Sequence, residues 1–301
     1  MDSTVDPNSE KPEVSHERVS VTAWRVAYRR TLSDIPFSSE IFDELQKIMR
    51  RTRSAAELQE LDQLVQPDIT PIFEARFKLV NCLLKERNAR QILEIAAGFS
   101  PRSLAMARDP AVEYSEMDLP GVMREKRAIF EELVKQSRIP RYPNVHLNAG
   151  NALVMGDMLA AVKQFRKEPI AVVNEGLLRY LTFEEKTIVA RSVQELLRFF
   201  GGAWITPDLS LRPQSAFGLS GESRREQFAR IERMTGIDVA KNYFADEDSA
   251  RTFFEDLGFR IERHGFMEIA GELVSPQRLQ LTKEQVEREI GRLAVFVMTL
   301  R

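Results

Sequence analysis

From residue 91 onward, short apolar runs rich in Ile, Leu and Val alternate with amphipathic segments, and this alternation constrains the chain more than any other feature. Strands buried on both faces read as continuous apolar runs, and parallel strands must be joined by long, usually helical, crossovers. The pattern predicts strands over residues 91–96, 112–117, 145–147, 170–173 and 203–206, with helices between them, then strands over 259–269 and 293–300. The expected fold is α/β, a doubly wound, mostly parallel seven-stranded sheet. Upstream, "VTAWRVAYRRTL", "SSEIFDELQKIMRR", "SAAELQELDQLV" and "PIFEARFKLVNCLLKE" place apolar residues at three- and four-residue intervals. They predict an N-terminal helical cap over 18–88, preceded by a polar tail at 1–17 and followed by the core at 89–301. Residues 208–243 lack a strand signal and are expected to form a helical lid insertion at the carboxyl edge of the sheet.

Helix boundaries carry local signals. Ser100 followed by Pro101 suggests a helix start there, Thr182 with Glu185 forms a capping-box pattern, and Gly201–Gly202 ends the helix that follows.

Forty-three basic against 45 acidic residues give a formal net charge of -2, so no global basic field draws the chain to nucleic acid. One cysteine, Cys82, precludes an intramolecular disulfide, and His16, His146 and His264 lie too far apart to suggest a metal site. The first residues contain no apolar segment behind a basic start, and no membrane span is read anywhere. The expectation is a cytoplasmic protein acting on a small molecule, with its oligomeric state open.

In open α/β sheets ligands bind beyond the carboxyl ends of the strands, and four predicted strands end in polar or small residues there. The first, "QILEIAAGFS", carries Glu94 inside an apolar run and reaches Gly98 before a helix start, where small residues let a ligand approach the backbone. The second ends in Asp118, about 20 residues beyond the glycine, the spacing at which an acid meets ribose hydroxyls in nucleotide-binding βαβ units. The third runs into Asn148, Ala149, Gly150 and Asn151, whose amides suit the edge of a base. The fourth ends in Asn174 and Glu175, followed by a turn that holds Tyr180. Each has a plain structural alternative: Glu94 paired with an arginine, Asp118 capping the next helix, Asn148 in a turn. The "EIAAGFS" stretch does not match G-x-G-x-x-G and has Ala where the first glycine would stand.

"ILEIAAGFSPRSLAMA", "YSEMDLPGVMREKRAIF" and "VVNEGLLRYLTFEE", preceded by "VTAWRVAYRR" and "ARFKLVNCLLKE", resemble the leucine carboxyl methyltransferase family and its bacterial polyketide-type O-methyltransferase relatives. The resemblance implies a class I, Rossmann-like methyltransferase with S-adenosylmethionine as cofactor. It implies that Arg76 holds the methionine carboxylate, Gly98 lies against the methionyl moiety and Asp118 binds the ribose. Asn148 and Ala149 would border the adenine, and Glu175 would meet the methionine amino group or the mouth of the acceptor site. The sequence departs from the family pattern at Ser100, Asn148 and Asn151, where acidic residues are usual.

Methyl transfer from a sulfonium needs alignment rather than a covalent nucleophile, and no G-x-S-x-G, H-E-x-x-H, P-loop or Cys/His pair is present. A carboxylate acceptor needs no base, whereas a hydroxyl would, with His146, Tyr180 and His264 as candidates. Glu175 and Tyr180 are the expected catalytic residues; Arg102 and Arg179 are candidates for pairing with an acceptor carboxylate or, equally, solvated helix residues. Two other classes fit the same fold: a nicotinamide-dependent oxidoreductase, which lacks here a clean glycine fingerprint and a Tyr–Lys relay, and a non-catalytic binding module.

Overall fold

The computed structural model describes residues 16–52, 54, 69–209, 211 and 238–301. Most of the expected tail, the "SAAELQELDQLV" helix and most of the 208–243 insertion lie outside the described residues. Helices α1 (His16–Thr31), α2 (Ser38–Thr52) and α3 (Thr70–Glu86) precede the sheet. There follow β1 (Gln91–Ile95), α4 (Arg102–Met106), β2 (Glu113–Asp118), α5 (Pro120–Lys135), β3 (Val145–Ala149), α6 (Met155–Ala161) and β4 (Ile170–Asn174). The remainder comprises α7 (Phe183–Phe200), β5 (Gly202–Thr206), α8 (Glu247–Asp256), β6 (Phe259–Gly265), α9 (Ser275–Arg278), α10 (Lys283–Ile290) and β7 (Ala294–Leu300).

The seven strands lie in the order β3-β2-β1-β4-β5-β7-β6. Strands β1 to β5 pair in parallel, and β7 runs antiparallel to both β5 and β6. Strand order reverses between β1 and β4, which opens a crevice at their carboxyl ends. On one face Leu93, Ile95, Met117, Val172 and Trp204 pack with Met158 of α6, Val189 and Val193 of α7 and Phe254 of α8. On the other, Ile92, Tyr114, Val173 and Ile205 pack with Leu79, Val80 and Leu83 of α3 and Ile290 of α10. Thus α3 covers the sheet as well as belonging to the N-terminal helical region. A third cluster joins α1 and α2, through Trp24, Ile41 and Leu45, to Phe99 and to Ile129 and Leu133 of α5.

The Thr182 capping box forms: Glu185 N donates to Thr182 Oγ1 at 3.2 Å, and Thr182 N donates to Glu185 Oε2 at 2.9 Å. Two expectations change. The strand expected over 259–269 stops at Gly265, and Phe266–Glu272 forms a 3-10 helix. Its three-residue repeat places Phe266 and Ile269 on one side, buried against α3. The helix expected from Ser100 starts at Arg102, because Ser100 is held in the preceding turn by its N–H donating to Ala97 O at 3.0 Å. The Ser100 hydroxyl still accepts from Arg102 N, at 3.3 Å.

Gly201 closes α7 in a left-handed conformation, and Gly202 follows at φ +104°, where an added Cβ would stand 1.9 Å from the Ile170 carbonyl oxygen. Gly202→Ala therefore combines about 1–3 kcal/mol of backbone strain with a clash against β4. Urea unfolding should show a loss at least that large, whereas Gly271→Ala, with open space around it, should stay within about 0.5 kcal/mol of the parent.

Candidate functional site

Alternation along parallel strands places Glu94, Tyr114, Glu116 and Asp118 on the sheet face that α3 covers, since Ile92 pairs with Tyr114 and Glu94 with Glu116. A carboxylate in a fully buried strand must be compensated. Glu94, 1% exposed, accepts from Tyr114 Oη at 2.7 Å on Oε2 and from Arg102 Nη1 at 2.7 Å on Oε1.

Arg102 reaches Glu94 from the first turn of α4 and is itself fully buried. Its Nε donates to Asn81 Oδ1 at 2.8 Å, and its guanidinium lies 4.6 Å from the centre of the Phe77 ring on α3. Its Nη2 also pairs with Oε1 of Glu175, just beyond β4. The other Glu175 oxygen faces two further arginines: Arg30 Nη2 of α1 donates at 3.1 Å, and Arg76 Nε of α3 approaches at 2.9 Å, off the axis of a hydrogen bond. Three guanidinium groups from α1, α3 and α4 thus surround one carboxylate at the head of the crevice.

Burial would raise the Glu175 carboxyl, but Arg102, Arg76 and Arg30 outweigh it and hold it down at about 2. Arg30 is poorly compensated. Burial, with Arg76 and Arg102 adding to it against the pull of Glu175, brings Arg30 down to about 10, and its Nε has no acceptor. Arg102 moves upward because Glu175 and Glu94 together overcome its burial.

The turn between β1 and α4 bends through two left-handed residues, Ala96 at φ +53° and Gly98 at φ +49°. Ala96 occupies the position of the missing first glycine and takes the conformation that glycine would favour. Asp118 braces this turn. Its Oδ2 accepts from Gly98 N at 2.6 Å and its Oδ1 from Leu119 N at 2.7 Å. Burial raises the Asp118 carboxyl, opposed by those two N–H groups. A carboxylate has about four lone-pair directions, so two remain for a ligand.

Residue 149 pairs with Asp118 across the β2–β3 ladder, and Ala149 is exposed there. Asn148, one residue earlier, pairs with Met117 and points to the opposite face, where its Nδ2 donates to Ser115 Oγ at 2.9 Å and to Glu116 O at 3.3 Å. The amide expected at the crevice is therefore a brace between strands.

Beyond β4, Asp208 collects the turn: Gly176 N donates to its Oδ1 at 2.8 Å, and Leu177 N at 2.6 Å and Leu178 N at 3.2 Å donate to its Oδ2. Asn174 Nδ2 also donates to Asp208, at 2.9 Å, while Trp204 Nε1 donates to Asn174 Oδ1 at 2.7 Å. Tyr180 lies half-buried in the 3-10 turn Leu178–Tyr180 that follows. The adjacent Arg179 donates to Tyr243 Oη at 3.1 Å, and Tyr243 with Tyr180 raises its guanidinium pKa against burial.

The structure accordingly joins Glu94 to Glu175 through Arg102, sets Arg76 on the other Glu175 oxygen, and joins Gly98 to Asp118. Asn148 and Tyr180 belong to neither network. Sequence reading missed Arg30, Tyr114 and Asp208. Alternation with Asp118 could have flagged Tyr114; Arg30 and Asp208 depend on long-range packing that no local pattern reports.

Among the described residues no helix is long and apolar enough to cross a membrane. No curated protein matches the sequence. Solved structures with similar coordinates include an O-methyltransferase candidate from Nostoc punctiforme, at 14% identity and TM-score 0.45 over 76% of this chain and 60% of that one. A methyltransferase candidate from Thermobifida fusca matches at 14% identity and TM-score 0.49, over 78% of this chain and 82% of that one. The mitomycin 7-O-methyltransferase MmcR matches at 10% identity and TM-score 0.46, over 96% and 74%. The sequence of residues 21–194 matches the leucine carboxyl methyltransferase family, a span that covers the cap helices, the crevice turn and the Glu175 turn. This match extends over more than half of the 301 residues, so the chain belongs to the leucine carboxyl methyltransferase family, whose cofactor is S-adenosylmethionine.

Proposed function

We propose that the protein transfers the methyl group of S-adenosylmethionine to a carboxylate oxygen of a small-molecule acceptor. The observation that carries this reading is the charge balance at the head of the crevice, where Arg30, Arg76 and Arg102 face Glu94 and Glu175. Three cations against two anions leave a surplus positive charge, and Arg30 Nε is buried without an acceptor. Bound there, S-adenosylmethionine supplies an electrophilic methyl on a cationic sulfonium. That raises the positive surplus further and favours an acceptor that arrives as an anion.

The side chains present fit the cofactor. Arg76 is half-buried and off-axis on Glu175, so it turns to a carboxylate at little loss. Arg30 can offer its vacant Nε to the same group. Glu175, ionised at any ordinary pH, takes an ammonium. Asp118 offers its two free lone-pair directions to ribose hydroxyls, and exposed Ala149 lets a base lie against the rim beside it. Ala96 and Gly98 bring the backbone of the turn close, with no large side chain in the way.

The new bond forms from an acceptor oxygen lone pair to the methyl carbon as the carbon–sulfur bond breaks and sulfur keeps the pair. A carboxylate is ionised near neutral pH and needs no base. What remains for the chain is alignment, which can contribute roughly 7–11 kcal/mol. Arg102, fixed by Glu94 and Phe77, holds Glu175 in place, and Asp208 fixes the turn that presents Tyr180 to the acceptor side. The family match displaces the nicotinamide-dependent alternative.

Incubating the protein with isotopically labelled S-adenosylmethionine and a cell extract should yield labelled methyl esters, which mild alkaline hydrolysis releases as methanol; label stable to alkali would contradict a carboxylate acceptor. Asp118→Ala should weaken cofactor binding in calorimetry by about 1.5–3 kcal/mol. An unchanged Kd would remove Asp118 from the site. Because the folded-state pKa of Glu175 lies below its usual value of 4.5, its stabilisation is present above that value and is lost as pH falls towards about 2. Glu175→Gln should therefore flatten the fall in stability between about pH 4.5 and 2, measured by urea midpoints across that window.

A further inference from the structure

Beneath the crevice turn lies a second buried ion pair that the proposed chemistry does not use. Lys126 of α5 and Glu116 of β2 are in direct contact, and both side chains are fully excluded from solvent. Placing two charges there is expensive, and apolar residues of similar volume would serve stability as well or better. The contact does not align a hydrogen bond on either Glu116 oxygen. The Lys126 ammonium instead donates at 2.9 Å to the backbone carbonyl of Ser100, with the Phe130 ring 5.6 Å away.

Ser100 is the middle of the turn that lines the crevice. One end of that turn is held by Asp118 on Gly98 N, the other by Glu94 and Glu175 on Arg102. Between them Phe99 packs into the cluster formed with α1, α2 and α5. The negative charge in contact with Lys126 comes from Glu116 of β2 and not from the turn itself. We propose that Lys126 is a positioning residue for cofactor binding: it fixes the backbone of residues 98–102 through Ser100 O, while Glu116 serves only to neutralise it. The inference rests on the reading that this turn contacts S-adenosylmethionine.

Three variants separate positioning from bulk stability: Glu116→Gln, Lys126→Met, and the two combined. The combined variant contains no unpaired buried charge and should be more stable than Lys126→Met alone. Calorimetry with S-adenosylmethionine should give Glu116→Gln a Kd within about three-fold of the parent, which is under ~0.7 kcal/mol. Lys126→Met and the combined variant should both bind at least about ten-fold more weakly, ~1.4 kcal/mol or more. Hydrogen exchange of the ligand-free proteins should show faster exchange at Phe99–Arg102 in the same two variants and not in Glu116→Gln. A combined variant that regains the parental Kd together with its stability would overturn the proposal. Should the parent bind no S-adenosylmethionine, the proposed function fails, and unchanged exchange at Phe99–Arg102 in the combined variant would independently overturn the tether.

Discussion

The meeting of Glu175 with Arg30, Arg76 and Arg102 is the interaction on which the rest of the structure depends. A carboxylate at the end of a central parallel strand has little access to water, and breaking such a buried pair costs about 3–5 kcal/mol because the surviving charge is left without a partner. The three guanidinium groups come from α1, α3 and α4, so the same contact that stabilises Glu175 fastens the N-terminal helices to the head of the sheet. Arg102 could not occupy this position alone. Glu94 supplies its second counter-charge and Tyr114 completes Glu94, which makes an apolar-looking strand the support of a polar site.

Around this centre the fold separates rigid parts from exchangeable ones. Asp208 gathers three successive backbone N–H groups after β4, and Asn174 links it to Trp204, so the turn carrying Glu175 and Tyr180 is fixed from below. Asp118 does the same for the turn after β1. Arg30 and Arg76 share one carboxylate oxygen and lie over the Phe77 and Phe73 rings, and under the proposed function they are the groups that change partner when a zwitterion enters. A family that needs alignment and no nucleophile is well served by this division.

Much of this was legible in the sequence, for identifiable reasons. All seven strands follow from apolar runs bounded by helices, and the Thr182–Glu185 box and the Gly201 stop appear where local chemistry requires them. Glu94, Asp118 and Glu175 stand out because a charge inside or at the end of an apolar run must be compensated. The run at 259–269 misled because apolar spacing alone does not distinguish a strand end from a 3-10 turn, as Phe266 and Ile269 illustrate. Asn148 stands at a strand end, which points to the crevice, but the pleat sends its side chain to the other face. Arg30 was not legible: on α1 it is one arginine among several, and only the packing of that helix against α2, α3 and α5 brings it to Glu175.

Soaking crystals of the protein with S-adenosylhomocysteine tests whether the Glu175–arginine cluster and Asp118 together hold the cofactor. The ligand should lie at the carboxyl ends of β1 and β2, its ribose on Asp118, its methionyl part against Gly98, with Arg76 turned from Glu175 to the ligand carboxylate. A ligand seated elsewhere, or bound with the Arg76–Glu175 pair undisturbed and Asp118 untouched, would contradict that assignment.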